Sequence, residues 1–346
     1  MAAPESPVQP SKVIACILNW NNIEDTLECL ESVLESDYSS LTVWLVDNGS
    51  DEDPTKLVEC RYPSVRVLRL GQNNGYGGGH NIALERALAE NAAFILLLNN
   101  DVVVAPDMVR QLVDALEANP DVGMATPRVF FYDRRHEIYW DGGTVDWSRG
   151  DVAHESRGLP TRDGLILSEW LDGTSLFVRA SVARQVGLFD DRYFLYYEDA
   201  EWSTRARRAG WSIAVVPEAS CWHKVSRSTG GLTNPRVSYY FTRNRYLYFT
   251  SHHLPFGGRR LPLIRYSRVA LRDYQRWRHD SKHRRAILEA CFDLVRGRWG
   301  CYVPSRNQRL LATLDALAFS VATAGSWLKS AGRACRILKR RSADPT

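Results

Sequence analysis

Apolar and polar positions alternate in blocks along the first hundred residues. Val13 to Leu18 is an unbroken apolar run ended by Asn19-Trp20-Asn21-Asn22, the pattern of a strand buried on both faces. Leu27, Leu30, Val33 and Leu34 then recur at helical spacing, and Leu41 to Val46 reads as a second buried strand closing on Asp47-Asn48-Gly49-Ser50. Val65 to Leu70 predicts a third strand, Ile82 to Ala92 a helix, and Phe94 to Leu98 a fourth strand running into Asn99-Asn100-Asp101. Strands alternating with helices predict an α/β protein with a mostly parallel central sheet. Ligands in such sheets sit beyond the carboxyl ends of the strands. All three polar clusters fall there, so three strand ends should converge on one site.

Composition adds an electrostatic division. Of the 346 residues 45% are hydrophobic, enough for one large domain or two fused ones. From Gly257 to Thr346 there are 20 Lys/Arg against 6 Asp/Glu, and the remainder carries 24 against 34. The basic stretch is laced with Tyr266, Tyr274, Trp277, Trp299, Tyr302 and Trp327, a mixture suited to an anionic membrane surface. No nucleic-acid-binding motif accompanies the charge, so nucleic acid is not the expected partner. The first ten residues carry three Pro and no apolar run, which predicts a disordered tail over 1–10, no signal peptide and a cytoplasmic protein. Seven Cys without a C-x-x-C pair support neither a disulfide framework nor a zinc site.

Several residues have the chemistry for a site, each with a plainer alternative. Asp101 is delivered to the sheet edge by a strand, where a hard cation can take one carboxylate and substrate phosphates; it can equally cap a turn. Gly71 to Asn81 reads G-Q-N-N-G-Y-G-G-G-H-N and opens a helix, a place for a phosphate or sugar or a turn without a ligand. It matches the dinucleotide fingerprint only loosely and follows the wrong strand. Glu198, Asp199 and Glu201 stand together at a helix start, offering a general base or only charges that suit the helix dipole. His223, in Cys221-Trp222-His223-Lys224, is either a metal ligand or a satisfied core group.

In this order, these pieces resemble family 2 glycosyltransferases of the GT-A fold, especially the bacterial rhamnosyltransferase-like branch. The likeness runs from about Lys12 to Tyr248 and continues in Leu294-Val295-Arg296-Gly297-Arg298-Trp299-Gly300. It implies a mostly parallel sheet flanked by helices, with a nucleotide-sugar half over 11–105, an acceptor half over 106–253 and a basic helical extension over 254–346. It implies donor contacts from Asn19, Asp47, Gly77, Gly78, Asn81, Asn100 and Asp101. Acceptor contacts would come from Trp170, Asp172, Gly173 and Glu198. Asn99-Asn100-Asp101 takes the place of the Asp-x-Asp motif, leaving Asp101 to hold Mg²⁺ or Mn²⁺ with His223, and Asp199 corresponds to the catalytic base. Glu201 stands where many relatives have Asp.

The implied reaction is inverting transfer of a sugar from a nucleotide diphosphate donor to a hydroxyl of a cell-envelope glycan or polyprenyl-linked acceptor. dTDP-L-rhamnose is the first candidate donor. E-D-A-E and Tyr239 to Arg245 are also similar to galactofuranosyltransferases, which makes UDP-galactofuranose the second and other UDP-hexoses the third. A nucleotidyltransferase and a non-catalytic membrane-surface binder are the alternatives outside this class. Leu310, Leu314, Leu317, Val321 and Leu328 fall near one helical face, with Lys329, Arg333, Arg336, Lys339, Arg340 and Arg341 following. That pattern fits a helix lying on the inner face of the cell membrane, or an ordinary helix packed on the domain.

Overall fold

The computed structural model describes residues 9–225, 233–252, 261–305, 307 and 309–320, with the backbone alone for 261–266. The first half runs β1 (Val13–Asn19), α1 (Ile23–Leu34), β2 (Leu41–Asp47), α2 (Thr55–Arg61), β3 (Arg66–Arg69), α3 (Gly75–Ala89), β4 (Phe94–Asn99), β5 (Val102–Val104), α4 (Met108–Ala118) and β6 (Val122–Phe131). Short strands β7 (Ile138–Trp140), β8 (Gly143–Asp146), β9 (Asp151–His154), β10 (Thr161–Arg162) and β11 (Leu165–Leu167) follow. The chain then forms β12 (Ser175–Arg179), α5 (Ala180–Val186), α6 (Glu198–Arg208) and β13 (Ser212–His223). Three helices come last, α7 (Pro235–Ser251), α8 (Leu261–Arg276) and α9 (Ser281–Arg296), with a further helix over 309–320.

One sheet spans both anticipated halves, in the order β10-β11-β13-β6-β12-β4-β1-β2-β3, with β5 on β13 and β7 on β6. Its N-terminal part is parallel as expected, β1 pairing with both β2 and β4. Beyond β4 it is mixed, because β12 enters antiparallel between β4 and β6. An antiparallel neighbour needs no crossover helix, and the segment before β12 holds short strands and loops, so helix periodicity could not announce it. Ile95 to Leu98 on β4 and Val13 to Ile17 on β1 have no solvent exposure, as strands covered on both faces require. Register aligns Asn19 with Asp47 and Leu18 with Asn99. The three polar strand ends therefore lie side by side.

Helix α3 begins at Gly75, seven residues before the start that apolar spacing indicated. Glycine carries no hydrophobic signal, and here it is needed for close approach. A Cβ on Gly75, whose φ is +78°, would lie 2.2 Å from the Phe194 carbonyl oxygen, and one on Gly79 would lie 2.7 Å from Leu18.

The helix over 309–320 docks through a side that its apolar spacing did not mark. Leu311 and Asp315 are buried, and Asp315 is gripped by both Arg284 Nε and Nη2 at 2.9 Å and by the Tyr274 hydroxyl at 2.6 Å. Leu310 and Leu317 stay 54% and 60% exposed. Among the described residues no helix is long and apolar enough to cross a membrane. Val321, Trp327, Leu328, the basic residues after them, Cys335 and most of the 1–10 tail lie outside the described residues.

Candidate active site

At the carboxyl ends of β1 and β4 opens a cavity of about 640 Å³, with Asn99, Asn100, Asp101, Asp172, Gly173, Glu198, Asp199 and His223 on its wall. The volume suits a drug-sized or nucleotide-sized ligand. Trp20, Asn48 and Tyr76 complete the β1–α3 side, while Arg236, Tyr240 and Tyr302 reach in from the C-terminal helices and the loop after them.

Asp101 and His223 meet because β5 pairs antiparallel with β13, setting His223 opposite Val102. His223 Nε2 stands 3.3 Å from Asp101 Oδ1, and both residues are buried. Burial works against a charged imidazolium, yet the hydrogen bond and charge of Asp101, joined by Asp172, hold the His223 pKa above its usual value. A carboxylate oxygen and an imidazole nitrogen so placed suit a borderline or hard divalent ion. Among the described residues no group of three or more His, Cys, Asp and Glu side chains could hold a metal. A metal ion here would therefore need substrate and water oxygens, and the site opens onto the cavity that would supply them.

The other acidic centre is built differently. Gly173 N–H donates to Asp199 Oδ2 at 3.0 Å and Ala200 N–H to Oδ1 at 2.7 Å. Burial and the charge of Asp172 outweigh these amides and push the Asp199 pKa up to about 7, where a general base works near neutral pH. Burial and Asp199 push neighbouring Glu198 well up too, and its Oε2 has no hydrogen-bond partner among the described residues. Glu201 belongs elsewhere. Its carboxylate takes Arg205 Nε and His252 Nε2, and Arg205 in turn donates to the carbonyls of Val186 and Leu188. It anchors α6 against α7 and the 186–188 turn.

Some of the residues named from sequence sit behind the cavity wall. Asn19 and Asp47 form a buried cluster in which Asn19 Nδ2 donates to Asp47 Oδ1 at 2.9 Å, and Arg69 to Asp47 Oδ2 at 2.9 Å. Asn100 joins it by donating to Thr26 Oγ1 at 2.9 Å, while still lining the cavity. Gly77 lets α3 lie on Phe189, Gly78 lies against Asn74, and Asn81 exchanges hydrogen bonds with the Phe189 backbone at 2.9 and 3.0 Å. Trp170 is buried with Val145 and Tyr248, its indole N–H on the Ala153 carbonyl.

Sequence reading passed over Asn48 and Tyr76. Asn48 binds the loop before α3 through Gly75 O at 2.9 Å and Asn74 N at 3.0 Å, and the Tyr76 hydroxyl donates to Gly173 O at 2.5 Å. Asn48 stood inside a polar cluster already marked as a strand end. Arg236 gave no signal, and Tyr302 stood out only as an aromatic of the basic stretch, both being far along the chain from the strands they face.

Comparison with known proteins decides the family. The model for glycosyl transferase family 2 matches residues 14–164, and that for glycosyl transferase family group 2 matches 94–283. The chain belongs to glycosyl transferase family 2. Its relatives include the N-acetylglucosaminyl-diphospho-decaprenol L-rhamnosyltransferase of Mycobacterium tuberculosis, 32% identical over 55% of this chain and 68% of that protein. The dTDP-rhamnosyl transferase RfbF of Shigella flexneri is 25% identical over 71% and 82% respectively. Among solved structures, S. aureus TarS 1-349 in complex with UDP-GlcNAc superposes with a TM-score of 0.54 at 14% identity, covering 92% of each chain. GalNAc-T7 with UDP, GalNAc and Mn²⁺ gives 0.54 at 15% identity over 83% of this chain and 57% of its own. These structures share the GT-A fold, and the enzyme is a glycosyltransferase of the rhamnosyltransferase-like kind.

Proposed function

We propose that this glycosyltransferase moves L-rhamnose from dTDP-L-rhamnose to a hydroxyl of a lipid-linked glycan, by a single displacement that inverts the anomeric centre. The observation that carries the reading is Asp199, a carboxylate with a pKa raised to about 7, in the same cavity as the Asp101–His223 pair. The two rhamnosyltransferase relatives support the choice of sugar, and the diphospho-decaprenol in one of their names supports the acceptor class.

Asp101 and His223 would hold Mn²⁺ or Mg²⁺, and a bound divalent ion supplies charge that stabilises a departing diphosphate. Asp199 takes the proton of the acceptor hydroxyl on Oδ1 or Oδ2, while the Gly173 and Ala200 amides keep the carboxylate aimed. Glu198, whose Oε2 has no hydrogen-bond partner among the described residues, offers a neutral acid to a sugar hydroxyl beside it. Incubation with dTDP-rhamnose, UDP-galactofuranose and UDP-GlcNAc in Mn²⁺ should release nucleoside diphosphate fastest from the first. Faster release from another donor would reassign the sugar, and none from any would refute the reading.

Attachment to an anionic membrane completes the proposal. Exposed Leu310 and Leu317 beside a strongly basic stretch support it. Liposomes of anionic lipid should carry the protein down at low salt, less so at high salt, and not after removal of residues 308–346. A full-length protein that ignores such liposomes would point to a freely diffusing acceptor.

A further inference from the structure

Asn244 is fully buried on α7, and its amide reaches three main-chain oxygens. Nδ2 lies 2.7 Å from the Tyr193 carbonyl, 2.7 Å from that of Leu195 and 2.8 Å from that of Tyr196. Oδ1 accepts from Arg243 Nε at 3.0 Å. Arginine only donates, so this bond dictates which end of the amide faces the carbonyls. Arg243, also fully buried, donates in addition to the carbonyls of Gly300 at 2.7 Å and of Arg192 and Tyr193 at 3.2 Å.

The segment gripped in this way has a backbone that would not hold itself. Phe194, Tyr196 and Tyr197 have φ of 56°, 67° and 73°, left-handed values that large side chains adopt only where the surroundings over-determine them. Glu198 and Asp199 follow directly as the first turn of α6. From the opposite side the Phe194 carbonyl accepts the Tyr76 N–H at 2.8 Å, and the Tyr76 hydroxyl holds Gly173, whose N–H holds Asp199. Donor-side helix, acceptor-side loop and base helix thus close into one circuit, and Asn244 is where α7 enters it.

We propose that Asn244, oriented by Arg243, is a positioning residue that keeps Asp199 aimed into the cavity. This rests on Asp199 being the base. Asn244 touches neither the cavity nor Asp199; it acts through the 193–197 backbone. A residue needed only for folding would change yield and melting temperature and leave the pH profile of the folded fraction alone.

The test compares full-length wild type with Asn244→Ala, Asn244→Asp and Arg243→Lys, using the donor that wild type turns over best. In Asn244→Ala kcat should fall roughly 10–100-fold, the range expected when a catalytic group is misplaced by about an ångström. Affinity for the nucleoside diphosphate with Mn²⁺ should stay within about twofold, since the clamp lies away from the metal pair. The ascending limb of kcat against pH should move to lower pH as water reaches a loosened Asp199. Asn244→Asp should be worse than Asn244→Ala, because it turns an acceptor toward three acceptors. Arg243→Lys keeps the buried charge but loses the orienting Nε, so a smaller loss with the same limb shift is expected, and it decides the matter if the Asn244 variants do not fold. Wild-type kcat and pH limb in the folded variants would overturn the proposal, as would a loss of nucleotide affinity equal to the loss of kcat. A wild type that turns over no donor would count against the base assignment; exchange protection of the Gly173 and Ala200 amides would then judge the clamp, lost in Asn244→Ala if it acts and retained if it does not.

Discussion

Asp101 and Asp199 occupy one cavity, both are aspartates at the start or end of regular structure, and their neighbours differ in the charge they present. Asp101 faces His223, a group that becomes more basic beside it, so the pair is suited to share a cation. Asp199 is buried beside Asp172, so its charge is disfavoured and it is suited to take a proton. Residue type alone does not distinguish a carboxylate suited to a cation from one suited to a proton; burial and the sign of the nearest charge do.

The largest effect that would break this contrast is expected at Asp199. Asp199→Asn keeps the shape but can accept only one of the Gly173 and Ala200 amides, its NH2 facing the other, and it cannot take a proton, so nucleoside diphosphate binding should persist while transfer falls roughly 10²–10⁴-fold. Near-normal turnover would move the base to Glu198. At the other centre, Asp101→Ala should remove the Mn²⁺-dependent part of nucleoside diphosphate affinity, roughly 10–100-fold by analogy with lost metal-site partners, and His223→Ala should remove less because imidazole does not neutralise the ion. Calorimetric titration with and without Mn²⁺ checks both, and equal affinity in wild type and Asp101→Ala would make that carboxylate structural. The smallest effect sharpens the comparison. Asp172→Asn retains the acceptor for the Thr174 N–H but removes a charge that raises the Asp199 pKa. The base then ionises at lower pH, so the ascending limb of kcat should shift acid-ward by about half a unit to one unit, a typical effect of one nearby like charge. An unmoved limb would mean that burial alone sets the pKa.

The parallel strands and the convergence of their ends were legible because a buried strand must be apolar throughout and then stop. Asp101, Asp172, Asp199 and His223 stood out as candidates only in combination, through the family likeness, since each has an equally good structural use; the structure places all four on one cavity wall. Asn19, Asp47 and Asn81 carry the same motifs, yet their side chains hold strand ends and α3 together behind the wall. A motif shared by a family marks whatever the site needs, and scaffolding beneath a ligand is needed as much as contact with it. Glu201 shows the same point at the base helix, where its partners are Arg205 and His252. The antiparallel β12 and the early start of α3 were hidden for a simpler reason: neither a tertiary insertion nor a run of glycines leaves a periodic trace.

Tyr302, which lines the cavity from beyond the last sheet strand, sets a lower bound on the length of a working enzyme. The Tyr302 backbone N–H donates to the Tyr240 hydroxyl at 2.8 Å, and its ring lies against Tyr239, so this stretch is fastened to α7. A chain ending at residue 253 would keep every described strand and both acidic centres while losing Tyr302 and its share of the cavity wall. Such a fragment should bind donor and leak it to hydrolysis, which would make the basic extension part of the reaction vessel.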